Sequence, residues 1–283
     1  MSVWLERRVI AFAHQGGSFE GPSSTLFAIE QALRVGATAI ELDVHATRDR
    51  RLVVCHDDTV DRTSNGHGSI ASMTLAELRE LDNAYWFAPG ETASPGRASH
   101  DYPWRGRAPR DRRFAVATLE EVVVSFPGVL LNLDIKQTAP DVEPYEALLA
   151  DELRRLECTS SVIVASFIDD ALAAFRDAAP DVATSAATDE TTAFYATLHE
   201  PTPLVPPAVA LQVPATFGTV RVIDERFVET AHRWGMAVHA WTINERAEME
   251  RLLDIGVDGL VSDVPSVLAA TLARRGLTWR ADT

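Results

Sequence analysis

Three things are scarce in this chain. It has two cysteines in 283 residues, Cys55 and Cys158, and two cysteines alone make neither a disulfide framework nor a zinc site. No stretch approaches the ~18 consecutive apolar residues of a membrane span. The apolar run Val9–Ala13 is too short for the core of a signal peptide and lacks a cleavage-type tail. Basic runs are absent, and the formal net charge is −15, which excludes a nucleic-acid backbone as a natural partner. Together these absences describe a reduced, cytoplasmic protein. They also set a condition: any anion this chain binds needs local positive charge, from a metal or a few placed cations.

Lysine is scarcest of all. Of 26 Lys and Arg residues only Lys136 is a lysine. A chain that uses Arg nearly everywhere and keeps one Lys points to a position where a compact, flexible ammonium is needed and a planar guanidinium does not fit.

What is present is alternation. Short apolar, β-branched runs at Val9–His14, Ala39–His45, Val129–Lys136, Val162–Phe167, Val182–Ala187, Val209–Pro214, Ala237–Ile243 and Val257–Ser262 read as strands buried on both faces. Between them lie helical patterns at Thr25–Val35, Leu119–Phe126, Tyr145–Leu156, Asp169–Ala178, Glu190–Leu198, Glu225–Trp234, Glu245–Ile255 and Pro265–Arg275, several preceded by an Asp, Ser or Thr suited to capping. Eight strands alternating with helices predict an α/β fold, a TIM (β/α)8 barrel. A doubly wound open sheet has the same pattern, but no G-x-G-x-x-G turn supports its dinucleotide-binding form. One segment breaks the rhythm. After the second strand the chain passes through Arg51–His56 and Leu75–Leu81 into a long stretch, about 83–113, rich in Gly, Pro, Arg and aromatics such as Trp86, Phe87, Tyr102 and Trp104. A loop of that length is functional or disordered, and its aromatics favour an ordered cap or lid. The whole chain, 1–283, reads as one catalytic domain with this insertion.

In such a barrel the chemistry sits at the C-terminal ends of the strands. Those ends carry His14; Glu41, Asp43 and His45; His56 just after; Asp134 and Lys136; and Trp241, with Asn244 beyond it. Glu41 and Asp43 are two apart, so both carboxylates project to one side of a strand. Two like charges inside a barrel are costly to bury, and a divalent cation with its preference for carboxylate oxygen resolves the conflict. Asp134 adds a third acid. His14 and His56 suit general acid and base work near neutral pH. His45 shares the side of Asp43 but reads as structural.

These runs resemble the glycerophosphodiester phosphodiesterase family. The resemblance rests on Ala13-His14-Gln15-Gly16-Gly17, Ile40-Glu41-Leu42-Asp43-Val44, Leu52-Val53-Val54-Cys55-His56-Asp57, Arg62-Thr63 with Asn65-Gly66, and Leu131-Asn132-Leu133-Asp134-Ile135-Lys136, supported by Trp241-Thr242-Ile243-Asn244 and Gly256-Val257-Asp258-Gly259-Leu260. It implies a TIM-barrel enzyme that cleaves a small phosphodiester, a glycerophosphodiester, to an alcohol and glycerol phosphate. Ca2+ or Mg2+ would sit on Glu41, Asp43 and Asp134. His14 and His56 would be the catalytic pair, and Gln15, Lys136 and Trp241 would touch substrate. The chain departs from the family in three places: Gln15 stands where Arg is usual, Ser23 where Glu is usual, and Asp134 where Glu is usual. Two other readings stay open. One is a lysophospholipase D-like activity on lipid diesters, with the aromatic insertion holding an acyl chain. The other is a non-catalytic phosphate-binding module.

Overall fold

The structure, a computed structural model, describes residues 2–6, 9–91, 93–136, 145–199 and 207–277. The strands are β1 (Ile10–His14), β2 (Ala39–Ala46), β3 (Leu52–Val54), β4 (Leu130–Ile135), β5 (Val162–Ser166), β6 (Ala183–Thr184), β7 (Ala210–Pro214), β8 (Thr216–Phe217), β9 (Val220–Arg221), β10 (Ala237–Trp241) and β11 (Gly259–Ser262). The helices are α1 (Leu26–Val35), α2 (Leu75–Leu78), α3 (Leu119–Ser125), α4 (Tyr145–Arg155), α5 (Asp169–Ala178), α6 (Thr188–Thr197), α7 (Glu225–Arg233), α8 (Arg246–Asp254) and α9 (Pro265–Arg274).

Eight strands run parallel in the order β6-β5-β4-β2-β1-β11-β10-β7. A parallel bridge between Ser185 and Ala210 joins the two ends, with Ala186 N–H donating to the Ala210 carbonyl at 2.8 Å and Val209 N–H to the Thr184 carbonyl at 2.9 Å. The sheet is therefore a closed α/β barrel of the TIM type, as the alternation predicts. The run at Val182–Ala187 yields only a two-residue strand, β6, because the barrel closes there through single bonds rather than a full ladder. The Arg51–His56 extension contains β3, which adds antiparallel to the end of β2, Val44 opposite Val54.

Side-chain alternation divides each strand between two environments. Outward residues such as Ile40, Leu42, Leu131, Leu133, Val162 and Val164 pack under α1 and α3–α5, while Leu211, Val213, Val238 and Leu260 pack under α7–α9. Inward residues Ile10, Phe12, Leu130, Ile163 and Val261 fill the lower barrel with Trp4, whose indole stacks on Phe12 at 6.3 Å. Each such side chain contributes roughly 1.5–3 kcal/mol by burial. Gly259 is required here: a Cβ on it would lie 2.8 Å from the rings of Phe12 and His239. Above this apolar plug runs a polar layer, in which Asn132 Nδ2 donates to Gln212 Oε1 at 3.2 Å and Gln212 Nε2 meets His239 Nδ1 at 3.2 Å. The upper layer is the candidate site.

The insertion is built from its own aromatics. Trp104 and Phe114 pack with Phe27 of α1, centroids 4.6–5.5 Å apart. The Arg105 guanidinium lies over Tyr85, Trp86 and Tyr102, 3.7–4.6 Å from their centroids, and its Nε donates to the Tyr85 carbonyl at 2.9 Å. These cation–π contacts use the ring faces that a ligand would need. The segment is tied to the β1–α1 loop by Asn83 Nδ2, which donates to the Ser23 carbonyl at 3.1 Å, and by Gly90 N–H, which donates to the Phe19 carbonyl at 2.8 Å.

Candidate active site

Strand register brings the predicted residues together. His14 pairs with Glu41 across β1 and β2, and Asp43 pairs with Asp134 across β2 and β4. The three acids are buried: Glu41 is 7 %, Asp43 2 % and Asp134 8 % exposed. Lys136, just past β4, sets its ammonium between two of them, 3.0 Å from Asp43 Oδ1 and 2.7 Å from Asp134 Oδ2. Lys136 alone cannot balance three carboxylates; the next cation is His14, whose Nε2 lies 3.7 Å from Glu41 Oε2. Burial and the neighbouring Asp43 charge push Glu41 up to about 8. Burial, opposed by Lys136, leaves Asp134 raised to about 6. Lys136 goes the other way: burial disfavours its charge, but Asp43 and Asp134 outweigh that and raise it.

Two buried carboxylate oxygens, Asp43 Oδ2 and Asp134 Oδ1, have no hydrogen-bond partner. Orphaned, acidic oxygens beside a surplus of negative charge fit a hard cation such as Ca2+ or Mg2+. Lys136 is the cation between Asp43 and Asp134, and no group of three or more His, Cys, Asp or Glu among the described residues is arranged to hold a metal ion.

The two histidines lie side by side in a T-shaped arrangement, ring centroids 6.4 Å apart and planes at 86°. A small group placed between the rings has an imidazole on either side. Each ring is held through Nδ1 by a carboxylate. His14 Nδ1 donates to Asp263 Oδ1 at 2.6 Å, and His56 Nδ1 donates to Asp57 Oδ1 at 2.7 Å. With Nδ1 held, Nε2 is the nitrogen left for other partners, and in His14 it lies 3.7 Å from Glu41 Oε2. Burial alone would lower His14, but the Asp263 hydrogen bond and the charges of Glu41, Asp263 and Asp43 hold it up at about 9. The two carboxylates are not equivalent. Asp57 is gripped by Arg62, Nε to Oδ2 at 2.7 Å and Nη2 to Oδ1 at 3.0 Å. Asp263 accepts from Ser18 Oγ at 2.5 Å and Asn244 Nδ2 at 2.8 Å. Gly17, at φ 91°, lets the loop carrying Ser18 approach; a Cβ there would lie 2.7 Å from Pro265 Cγ. His45 is buried, and its Nε2 lies 3.4 Å from the His56 carbonyl, which matches a structural role.

Gln15 and Ser23 touch each other, Ser23 Oγ donating to Gln15 Oε1 at 2.5 Å. The two departures from the usual Arg and Glu are thus one coupled change to a neutral pair. Gln15 Nε2 lies 3.2 Å from His14 Nε2. Trp241 ends β10 at the same mouth, with its ring 5.7 Å from Phe167.

The residues absent from the sequence reading are Asp263, Asp57, Arg62 and Ser18 as supports of the two imidazoles. Asp263 lies one residue past the last predicted strand, Val257–Ser262, and so at a strand end like the other site residues. Among the described residues no helix is long and apolar enough to cross a membrane.

A profile of the Glycerophosphoryl diester phosphodiesterase family matches residues 14–267. A glycerophosphodiester phosphodiesterase of Caldanaerobacter subterraneus is 30 % identical over 271 residues, covering 95 % of this chain and 99 % of that protein. One from Bacillus subtilis is 29 % identical, covering 92 % and 85 %. Among solved structures, the glycerophosphoryl diester phosphodiesterase domain of a Mycobacterium tuberculosis protein superposes with a TM-score of 0.77 at 22 % identity, covering 94 % of this chain and 99 % of that one. An Oleispira antarctica phosphodiesterase in complex with the product sn-glycerol-3-phosphate superposes with a TM-score of 0.69 at 24 % identity, covering 94 % and 97 %. The chain belongs to the glycerophosphoryl diester phosphodiesterase family, and it is an enzyme of that family, a phosphoric diester hydrolase on a closed TIM barrel.

Proposed function

We propose that this enzyme hydrolyses glycerophosphodiesters to an alcohol and glycerol phosphate with His14 and His56 as its acid–base pair. The observation that carries this is the pair of neighbouring imidazoles, ring centroids 6.4 Å apart, beside a buried three-carboxylate cluster. A divalent cation, Ca2+ or Mg2+, would be held by Glu41, Asp43 and Asp134 and would supply Lewis-acid polarisation of the phosphate. Lys136 adds positive charge toward the phosphate oxygens as negative charge grows on them. One imidazole Nε2 takes the proton of the attacking hydroxyl, from water or from the substrate's own glycerol. The other returns a proton to the departing alkoxide. Asp263 and Asp57 hold Nδ1–H of both rings, so that Nε2 works as a lone pair in the neutral base and as N–H in the protonated acid. Gln15, with its oxygen held by Ser23, offers amide hydrogens where the usual Arg would offer charge. The insertion at about 83–113 walls the β1–α1 side of the mouth as a cap.

The test is turnover of glycerophosphocholine with product analysis. His14→Ala and His56→Ala should each lower kcat by roughly 10²–10⁴-fold, and chelation should abolish activity. Near-wild-type kcat in either variant would remove that histidine from the mechanism; full activity in metal-free buffer would remove the metal.

A further inference from the structure

Two stretches of chain carry the histidines and their supports. One is the end of β1 and the loop after it, with His14, Gln15 and Ser23. The other follows β3, with His56, Asp57, Arg62 and Thr63. Among the described residues no hydrogen bond joins the two stretches directly. A single side chain joins them. Asn83, 2 % exposed at the root of the insertion, donates from Nδ2 to the Ser23 carbonyl at 3.1 Å and accepts at Oδ1 from Thr63 Oγ1 at 2.6 Å. Its own N–H donates to the Phe114 carbonyl at 3.1 Å, which ties the two ends of the insertion together.

From Asn83 each direction leads to an imidazole. On one side Ser23 Oγ holds Gln15 Oε1, and Gln15 Nε2 lies 3.2 Å from His14 Nε2. On the other, Thr63 follows Arg62, whose guanidinium grips the Asp57 carboxylate that holds His56 Nδ1. Gln15, Ser23, Thr63 and Asn83 are all buried, so a bond lost here leaves a polar group unpaired. The loop on the His14 side also needs holding. Gln15 at φ 53° and Ser24 at φ 57° lie in the left-handed region, which residues other than Gly, Asn and Asp seldom adopt. Such backbone persists where its surroundings over-determine it, and Ser23 lies directly before Ser24. The insertion repeats the tie with backbone groups: Trp86 N–H donates to the Thr63 carbonyl at 3.4 Å, and Gly90 N–H to the Phe19 carbonyl at 2.8 Å.

We infer that Asn83 is a positioning residue for the hydrolysis, bracing the two stretches so that the imidazoles keep their relative placement, and that the insertion serves as this brace. The inference rests on the acid–base reading of His14 and His56. A short planar amide suits the position because it offers a donor and an acceptor at once. Aspartate has the same shape and would keep the bond from Thr63, but it would set a carboxylate oxygen against the Ser23 carbonyl.

The measurement is kcat and KM for glycerophosphocholine, per folded molecule, in Asn83→Asp and Thr63→Val. Each should lower kcat about 10–100-fold, the scale of a misplacement near 1 Å, with KM within about threefold. Thr63→Val keeps its shape and carries the test if Asn83→Asp does not fold. The double variant should be no slower than the slower single, because both changes cut one path; losses that multiply mean two separate defects and overturn the brace. Tyr102→Phe removes the hydroxyl that bonds the Ser94 carbonyl and Arg97 N–H. It loosens the insertion away from Asn83 and should keep the wild-type kcat; an equal loss there would reduce the effect to general softening. NMR of histidines labelled at Cε1 reads the brace without turnover. The His14 and His56 signals, identified with His14→Ala and His56→Ala, should both shift in Asn83→Asp and stay in place in Tyr102→Phe. Unmoved signals with wild-type kcat in Asn83→Asp overturn the brace and spare the acid–base pair. Shifted signals with full activity in His14→Ala and His56→Ala keep the brace and remove the acid–base reading.

Discussion

Removing the only lysine should make the protein less stable and yet better at binding metal. In the structure the Lys136 ammonium neutralises Asp43 and Asp134 from 3.0 and 2.7 Å. Lys136→Met leaves those acids and Glu41 without that cation. Breaking a buried ion pair costs ~3–5 kcal/mol, but here the lysine side chain is 23 % exposed and Asp134, already raised to about 6, can take up a proton. A loss of about 2–3 kcal/mol in the metal-free protein is the resulting expectation. A divalent cation entering the cluster meets Lys136 in wild type but not in the variant. If relief from that competition recovers even half of the loss, affinity rises about tenfold, since ~1.4 kcal/mol is a factor of ten. The assay is thermal unfolding of both proteins with chelator and across a Ca2+ titration, with an isotherm for affinity. Lys136→Met should melt lower without metal and show the larger Ca2+-induced stabilisation, while kcat/KM falls because the phosphate loses its ammonium. Equal melting temperatures and equal or weaker Ca2+ binding in the variant would refute the reasoning.

Asp263→Asn keeps size but replaces the carboxylate that holds His14 Nδ1–H; kcat for glycerophosphocholine should drop about 10–10³-fold with KM little changed, and unchanged kcat would show that His14 does not need that carboxylate. His239 is buried and, through desolvation, lowered from 6.5 to about 4. Its folded pKa is depressed, so the unfolded chain binds the extra proton first. Stability is full above about 6.5 and falls as pH drops toward about 4, by on the order of 3 kcal/mol. Denaturant unfolding of wild type and His239→Gln at pH 7 and pH 4.5 should show the variant losing much less; equal losses would place the acid sensitivity elsewhere.

The barrel was legible because alternation and buried apolar runs depend on local pattern alone. The acids were legible for a related reason: spacing of two along a strand fixes a shared side, so Glu41 with Asp43 and Asp134 with Lys136 could be paired within their own strands. What spacing cannot show is register between strands. That Asp43 stands opposite Asp134, so that one lysine bridges both, follows from pairing across the sheet. Asp263 was hidden more deeply, since it reaches His14 across 249 residues. The internal packing of the insertion was not legible either: composition does not reveal that Arg105 sits among the rings of Tyr85, Trp86 and Tyr102. The exposed Phe217 belongs to a short hairpin whose two-residue strands are too brief to leave a periodicity.

The most direct test of the account is turnover of glycerophosphocholine by the purified protein, followed by 31P NMR, after exhaustive chelation and again after adding back Ca2+ or Mg2+. The account predicts release of glycerol phosphate and free choline with metal, none without it, and recovery of the full rate on replenishment. Glycerol phosphate formed at the same rate in the chelated protein would contradict the metal's part. Absence of any glycerol phosphate from a panel of glycerophosphodiesters, under every metal condition, would contradict the account itself.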